Sequence, residues 1–175
     1  MRQKAMFIWV GLNCLSCLAG SGSVGASSAK PRAGEVSPEQ HKTLARRWIE
    51  EGFNKRDLKV VDEIFAEGFA VNGQRIGRDG LRQSMRGFLT AFPDLQVTIT
   101  DIIAEGDKVG LWYSVQGTHR GEFQGVRPTA RQVKWSGVDL FRIGGGRIVE
   151  ARFLDDSLGL LRQLGAMPPP SPSQN

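Results

Sequence analysis

The strongest constraint in this chain is the alternation of its second half. Val97, Ile99 and Ile103, then Val109, Leu111, Tyr113 and Val115, then Val133, Trp135 and Phe141, and last Ile148 to Leu154 carry apolar residues at period two. That spacing turns one face of each strand toward a core and the other toward solvent. EGD at 105–107 and GGG at 144–146 read as turns joining neighbours, which predicts antiparallel pairing.

The first half has a different period. Ser37, Pro38 and Gln40 form a capping-box start with proline at the first helical position, followed by Leu44, Trp48, Ile49 and Phe53 at helical spacing. A second short helix is predicted from Asp57, with Leu58, Val61, Ile64 and Phe65 on its apolar face. A third is predicted from Asp79 to Phe92 through Leu81, Met85 and Phe88, and Pro93 stops it. Helices followed by an antiparallel sheet make an α+β domain. A curved sheet wrapped by N-terminal helices would enclose a cone suited to a small apolar ligand.

That domain spans about residues 37–166. Before it, Arg2 and Lys4 precede an apolar run from Ala5 to Ala19, and small residues follow up to Ala26. This predicts a secretory signal over 1–26, cleaved after Ala26, a leader over 27–36, and an exported protein, periplasmic or secreted. The run is too short and too interrupted, by Gly11 and Asn13, to predict a stable membrane span. Cys14 and Cys17 both lie inside it, so the mature chain has no thiol nucleophile, disulfide or Cys metal ligand. Without Arg2 and Lys4, 21 basic residues face 18 acidic ones, a net charge of about +3. The basic residues are scattered, which argues against nucleic acid as a partner. A Pro/Ser tail over 167–175 has too many prolines for regular structure.

The chemistry concentrates in VEARFLDDSLGLLRQLG, residues 149–165. A strand ends in two adjacent carboxylates, Asp155 and Asp156, and a helix follows. Either can cap that helix, since Asp is among the best N-caps. A general base gains instead from apolar surroundings that raise its pKa. One division of labour has Asp155 cap the helix while Asp156 faces the pocket. Asp139 shares parity with Trp135 and Phe141, so it points inward as a polar pocket group or pairs with Arg152 or Arg131. Trp112 and Trp135 are either pocket lining or plain core. His119 either serves a ligand, because imidazole titrates near neutrality, or orders the loop from Gly117 to Gly125. His41, in the first helical turn, is expected in solvent. Two histidines so placed do not make a metal site.

Three stretches, GRDGLRQSMRGFLTAFPDLQVTITDIIAEGDKV, GTHRGEFQGVRPTARQVKWSGVDLFRI and GRIVEARFLDDSLGLLRQLG, resemble the SnoaL-like polyketide (ester) cyclases, a branch of the nuclear-transport-factor-2-like superfamily. The resemblance runs from about Leu44 to Ala166. It implies a cone-shaped α+β barrel, a homodimer or larger homo-oligomer, and a small apolar carbonyl-containing molecule as ligand. It further implies ring closure by intramolecular aldol addition with no metal or other cofactor. By the same resemblance Asp156 is the general acid/base and His119 its helper. Two departures stand out: Ala151 and Arg152 occupy positions often filled by His and Trp, and Asn72 is the nearest polar counterpart of an Asp-His pair. Arg152 then either binds an acidic substrate group or pairs with Glu150, Asp155 or Asp156. Alternatives to the cyclase reading are a non-catalytic ligand-binding or interaction module on the same fold, and a hydratase or epoxide hydrolase.

Overall fold

The computed structural model describes residues 37–167, so the predicted signal, the leader and all but the first residue of the Pro/Ser tail lie outside the described residues. Helix α1 (Pro38–Arg47) starts on the capping box: Gln40 N donates to Ser37 Oγ at 3.3 Å and Ser37 N to Gln40 Oε1 at 2.8 Å. It continues as a π-helix, Trp48–Asn54. There the Asn54 side chain holds both backbone groups of Val97, at 2.9 and 2.8 Å. His41 is buried, not solvated, and its Nδ1 lies 2.9 Å from the Gly106 carbonyl. The first helix is thereby pinned to a strand turn far away in sequence.

Helix α2 (Val60–Ile64) is shorter than its apolar spacing suggests, because Phe65 opens a strand, β1 (Phe65–Val71). A two-residue strand β2 (Gln74–Arg75) follows, then α3 (Gly77–Ala91), which buries Leu81 and Met85 and ends before Pro93. The long strands are β3 (Gln96–Glu105), β4 (Lys108–Thr118), β5 (Gln132–Gly144) and β6 (Arg147–Asp155), and α4 (Ser157–Leu164) closes the domain.

The six strands form one curved open sheet in the order β2-β1-β6-β5-β4-β3. The four long strands pair antiparallel, as the turns predict. The exception is β1, which adds parallel to β6. FAEGFAV carries no clean alternation to announce it. A second departure lies in β3, where the register shifts between Ile99 and Asp101. The bulge exchanges the faces beyond it. Ile103 therefore projects outward, 55% exposed, and does not share the core face with Val97.

The inner face of β3–β6 is covered by helical side chains. Trp48 packs edge-on against Phe53 and Phe65 and parallel to Phe153, and Phe92 packs against Phe123 and Trp135. These large buried aromatics supply much of the apolar burial that stabilises the fold.

Candidate active site

Strand register brings the site together. Tyr113 on β4 pairs with Gly137 on β5, and Gly137 pairs with Asp155 on β6, so the three form one row across three strands. All three belong to the inward parity, with Trp135 and Asp139 on either side of Gly137 along β5. Over the bare Cα of Gly137 the Tyr113 hydroxyl reaches Asp155 Oδ1 at 3.1 Å. A Cβ at residue 137 would sit 2.6 Å from that hydroxyl and 2.7 Å from that carboxylate oxygen, so the contact exists because this position has no side chain.

Two further donors and acceptors complete the cluster. Trp135 Nε1 donates to the same Asp155 Oδ1 at 3.2 Å, and Asp139 Oδ1 lies 3.1 Å from the Tyr113 hydroxyl. Trp48 Nε1, buried without a hydrogen-bond partner, is turned toward Asp139. Asp139 is 3% exposed, whereas Asp155 is half-buried.

Burial is the first cause of each electrostatic shift here. It pushes Asp139 well above the ordinary carboxylate range, the Asp155 charge adds to the shift, and the Tyr113 and Trp48 donors oppose it. It also raises Asp155, opposed by the Tyr113 and Trp135 donors. The Tyr113 hydroxyl is pushed far above the ordinary phenol range by burial and by the two carboxylates. Among the described residues no cation acts on either carboxylate.

Asp156 takes the opposite place. It is exposed, it is the N-cap of α4, and its Oδ1 accepts from Gly159 N at 2.8 Å. It borders an open groove of about 370 Å³ whose walls include the outward-facing Trp112, Ser114, Ser136, Val138 and Leu154 and which also touches Tyr113 and Gly137. The division in which Asp155 caps and Asp156 faces the interior is therefore reversed. The strand parity of Ala151 and Phe153 carries one step further to Asp155 and ends there.

The other sequence candidates disperse. Trp135 and Asp139 lie in the inner cluster, and Asp139 bonds to Tyr113 in place of Arg152 or Arg131. Trp112 stands 38% exposed on the outer face. Arg152 is also exposed and outward, and among the described residues it makes no ion pair; Glu150 pairs with Arg142. Asn72 occupies the turn between β1 and β2 with φ 49°, its N–H donating to Ala151 O at 2.9 Å and its Oδ1 accepting from Phe153 N at 3.3 Å. It extends the sheet and does not enter the cluster.

His119 is fully buried, and its Nδ1 accepts from Thr129 N at 3.2 Å. Backbone bonds to Arg131 and from Ala130 close the loop around it. Its ring lies against Phe92, which also touches Trp135, and burial lowers its pKa against a weaker opposing pull from the Gly121 carbonyl. The residue orders its loop behind the aromatic wall of the site. Tyr113 and Gly137 are the members that residue-by-residue reading misses. Among the described residues no group of three or more His, Cys, Asp or Glu could hold a metal ion, and no helix is long and apolar enough to cross a membrane.

Comparison with known proteins agrees with this architecture. The family model for SnoaL-like polyketide cyclase matches residues 43–164. AclR of Streptomyces galilaeus, a candidate hydroxylase, is 31% identical over 77% of this chain and 87% of its own, with a TM-score of 0.69. IdmH of Streptomyces antibioticus, a candidate polyketide cyclase, is 30% identical over 72% and 99%, with a TM-score of 0.64. A candidate SnoaL-like polyketide cyclase from Jannaschia sp. CCS1 is 25% identical over 80% and 100%, with a TM-score of 0.69. No curated protein sequence matches significantly.

Proposed function

Because this chain belongs to the SnoaL-like polyketide cyclase family, we propose that it rearranges a small, largely apolar ester with an enolisable carbonyl, using Asp155 as general acid/base and no cofactor. The observation that carries this reading is the state of the Asp155 carboxylate. It lies half-buried on the inner face, raised by burial, with both of its donors on Oδ1. Oδ2 is left to receive a proton.

A base whose pKa lies nearer the working pH combines the right protonation state with driving force for transfer. In the proposed step the proton alpha to the carbonyl passes to Asp155 Oδ2. The resulting enolate carbon forms a bond to a second carbonyl carbon of the same molecule. The alkoxide produced takes the proton back from Asp155. Atoms and charge balance, and the carboxylate is restored.

The exposed apolar residues of the outer face, Ile103, Trp112, Leu140 and Leu154, support a homodimer across that face. The N-terminal pattern supports export.

The test is exchange of the alpha proton of a simple β-ketoester in deuterated buffer, followed by NMR. Exchange that is lost in Asp155→Asn and kept in Asp156→Asn is the expected result. Exchange that both variants retain would overturn the assignment. Tight binding of a ligand without any exchange would favour the non-catalytic module.

A further inference from the structure

The proposed chemistry leaves Asp139 without a task, yet its burial with a carboxylate neighbour is costly. Proton counting supplies one. The Tyr113 hydroxyl lies 3.1 Å from Asp139 Oδ1 and 3.1 Å from Asp155 Oδ1. A phenol brings one proton and can satisfy one acceptor with it. Both contacts are full two-centre hydrogen bonds only if one of the carboxyls contributes a second proton, donated to the phenol oxygen.

The surroundings choose which carboxyl carries it. Asp155 has a second donor, Trp135 Nε1 at 3.2 Å, on the same oxygen, and it is less completely buried than Asp139. Both features favour its charged form. Asp139 is sealed, and Trp48 Nε1, the other donor beside it among the described residues, makes no hydrogen bond of good geometry. The groups facing the pair are Trp48 from the π-helix, Tyr113 from β4, Trp135 from β5, and the two carboxyls themselves; none is a cation.

We propose that Asp139 is a positioning residue held as a neutral acid: it donates its proton to the Tyr113 oxygen, which turns the phenol proton onto Asp155 and places the only negative charge of the cluster there. The single row Asp139, Tyr113, Asp155 then has one orientation, and Gly137 leaves the space through which it runs. The inference rests on the reading of Asp155 as the reacting carboxylate only for its purpose, since the protonation pattern exists without substrate.

Infrared spectroscopy of the purified protein at neutral pH tests it, through the carbonyl stretch of a protonated carboxylic acid. The band is expected in the wild-type protein and in Asp155→Asn, and is expected to vanish in Asp139→Asn, where the amide can still donate to Tyr113. Absence of the band in the wild type, or its survival in Asp139→Asn, would overturn the proposal. Carboxyl ¹³C NMR of the wild-type protein answers independently of any variant's folding: the Asp139 signal should stay that of the acid while the Asp155 signal titrates. Neither readout needs turnover, so an intact band with no loss of exchange in Asp155→Asn would sink the functional reading alone.

Discussion

The two faces of β3–β6 are built from alternate residues of the same strands and have opposite chemistry. The inner face holds Tyr113, Trp135, Asp139 and Asp155 beneath helical aromatics, where burial moves every titratable group. The outer face leaves Ile103, Trp112, Leu140 and Leu154 exposed beside an open groove. Asp155 and Asp156 are neighbours in the chain and stand on opposite sides of this divide. Identical side chains one residue apart thus acquire different work, a tuned carboxylate inside and a helix cap outside, from strand parity alone.

The largest test of this contrast is catalytic. Asp155→Asn should lower turnover by roughly 10²–10⁴-fold, the usual range for a lost general acid/base, while Asp156→Asn, still a good cap, should stay near wild type in the same rate assay. Next comes packing: Gly137→Ala places a methyl where Tyr113 and Asp155 meet, and overpacking of this kind costs about 1–3 kcal/mol in denaturant unfolding. Asp156→Ala should cost about 0.5–2 kcal/mol through the lost cap, and Asp156→Asn should recover most of it.

Replacing the buried Asp139 acid should act in the opposite sense. The folded-state pKa of Asp139 is raised well above the ordinary 3.8, so the folded protein holds a proton that the unfolded chain releases as pH rises past that value. Ionisation of this group in the unfolded chain therefore lowers the protein's stability from about pH 3.8 upward. Asp139→Asn should melt higher than wild type at neutral pH, and the advantage should disappear as the pH falls below the ordinary aspartate range. The smallest effect belongs to the outer face: Trp112→Ser should change unfolding of the isolated chain by less than about 0.5 kcal/mol, while light scattering should show loss of the proposed dimer.

Much of the fold was legible in the sequence. The capping box at Ser37 and Gln40, the proline after Phe92, and the alternating runs locate α1, α3 and the four long strands. What escaped follows from effects that local patterns do not encode. Strand β1 reads as the end of a helix because Ile64 and Phe65 continue a helical stripe, and its parallel partner β6 lies far along the chain. The bulge after Ile99 adds one residue to one strand and inverts everything beyond it.

The site was half legible. Parity with Trp135 and Phe141 leaves Asp139 open between an inward pocket group and a salt bridge with Arg152 or Arg131, and the same count from Phe153 puts Asp155 inside. The row of Tyr113, Gly137 and Asp155 depends on the β4–β5 register, which is set across the His119–Arg131 loop and not by a tight turn. A slip of one residue would turn every side chain of a strand to the other face. Gly137 could be noticed only once that register was known.

The most direct measurement of the central claim is a carboxyl ¹³C NMR titration of Asp155 and Asp139 in the folded protein. The account predicts that Asp155 titrates above the ordinary 3.8, and that Asp139 keeps its proton to still higher pH. Titration of Asp155 at or below 3.8, with Asp139 losing its proton in the same range, would contradict it.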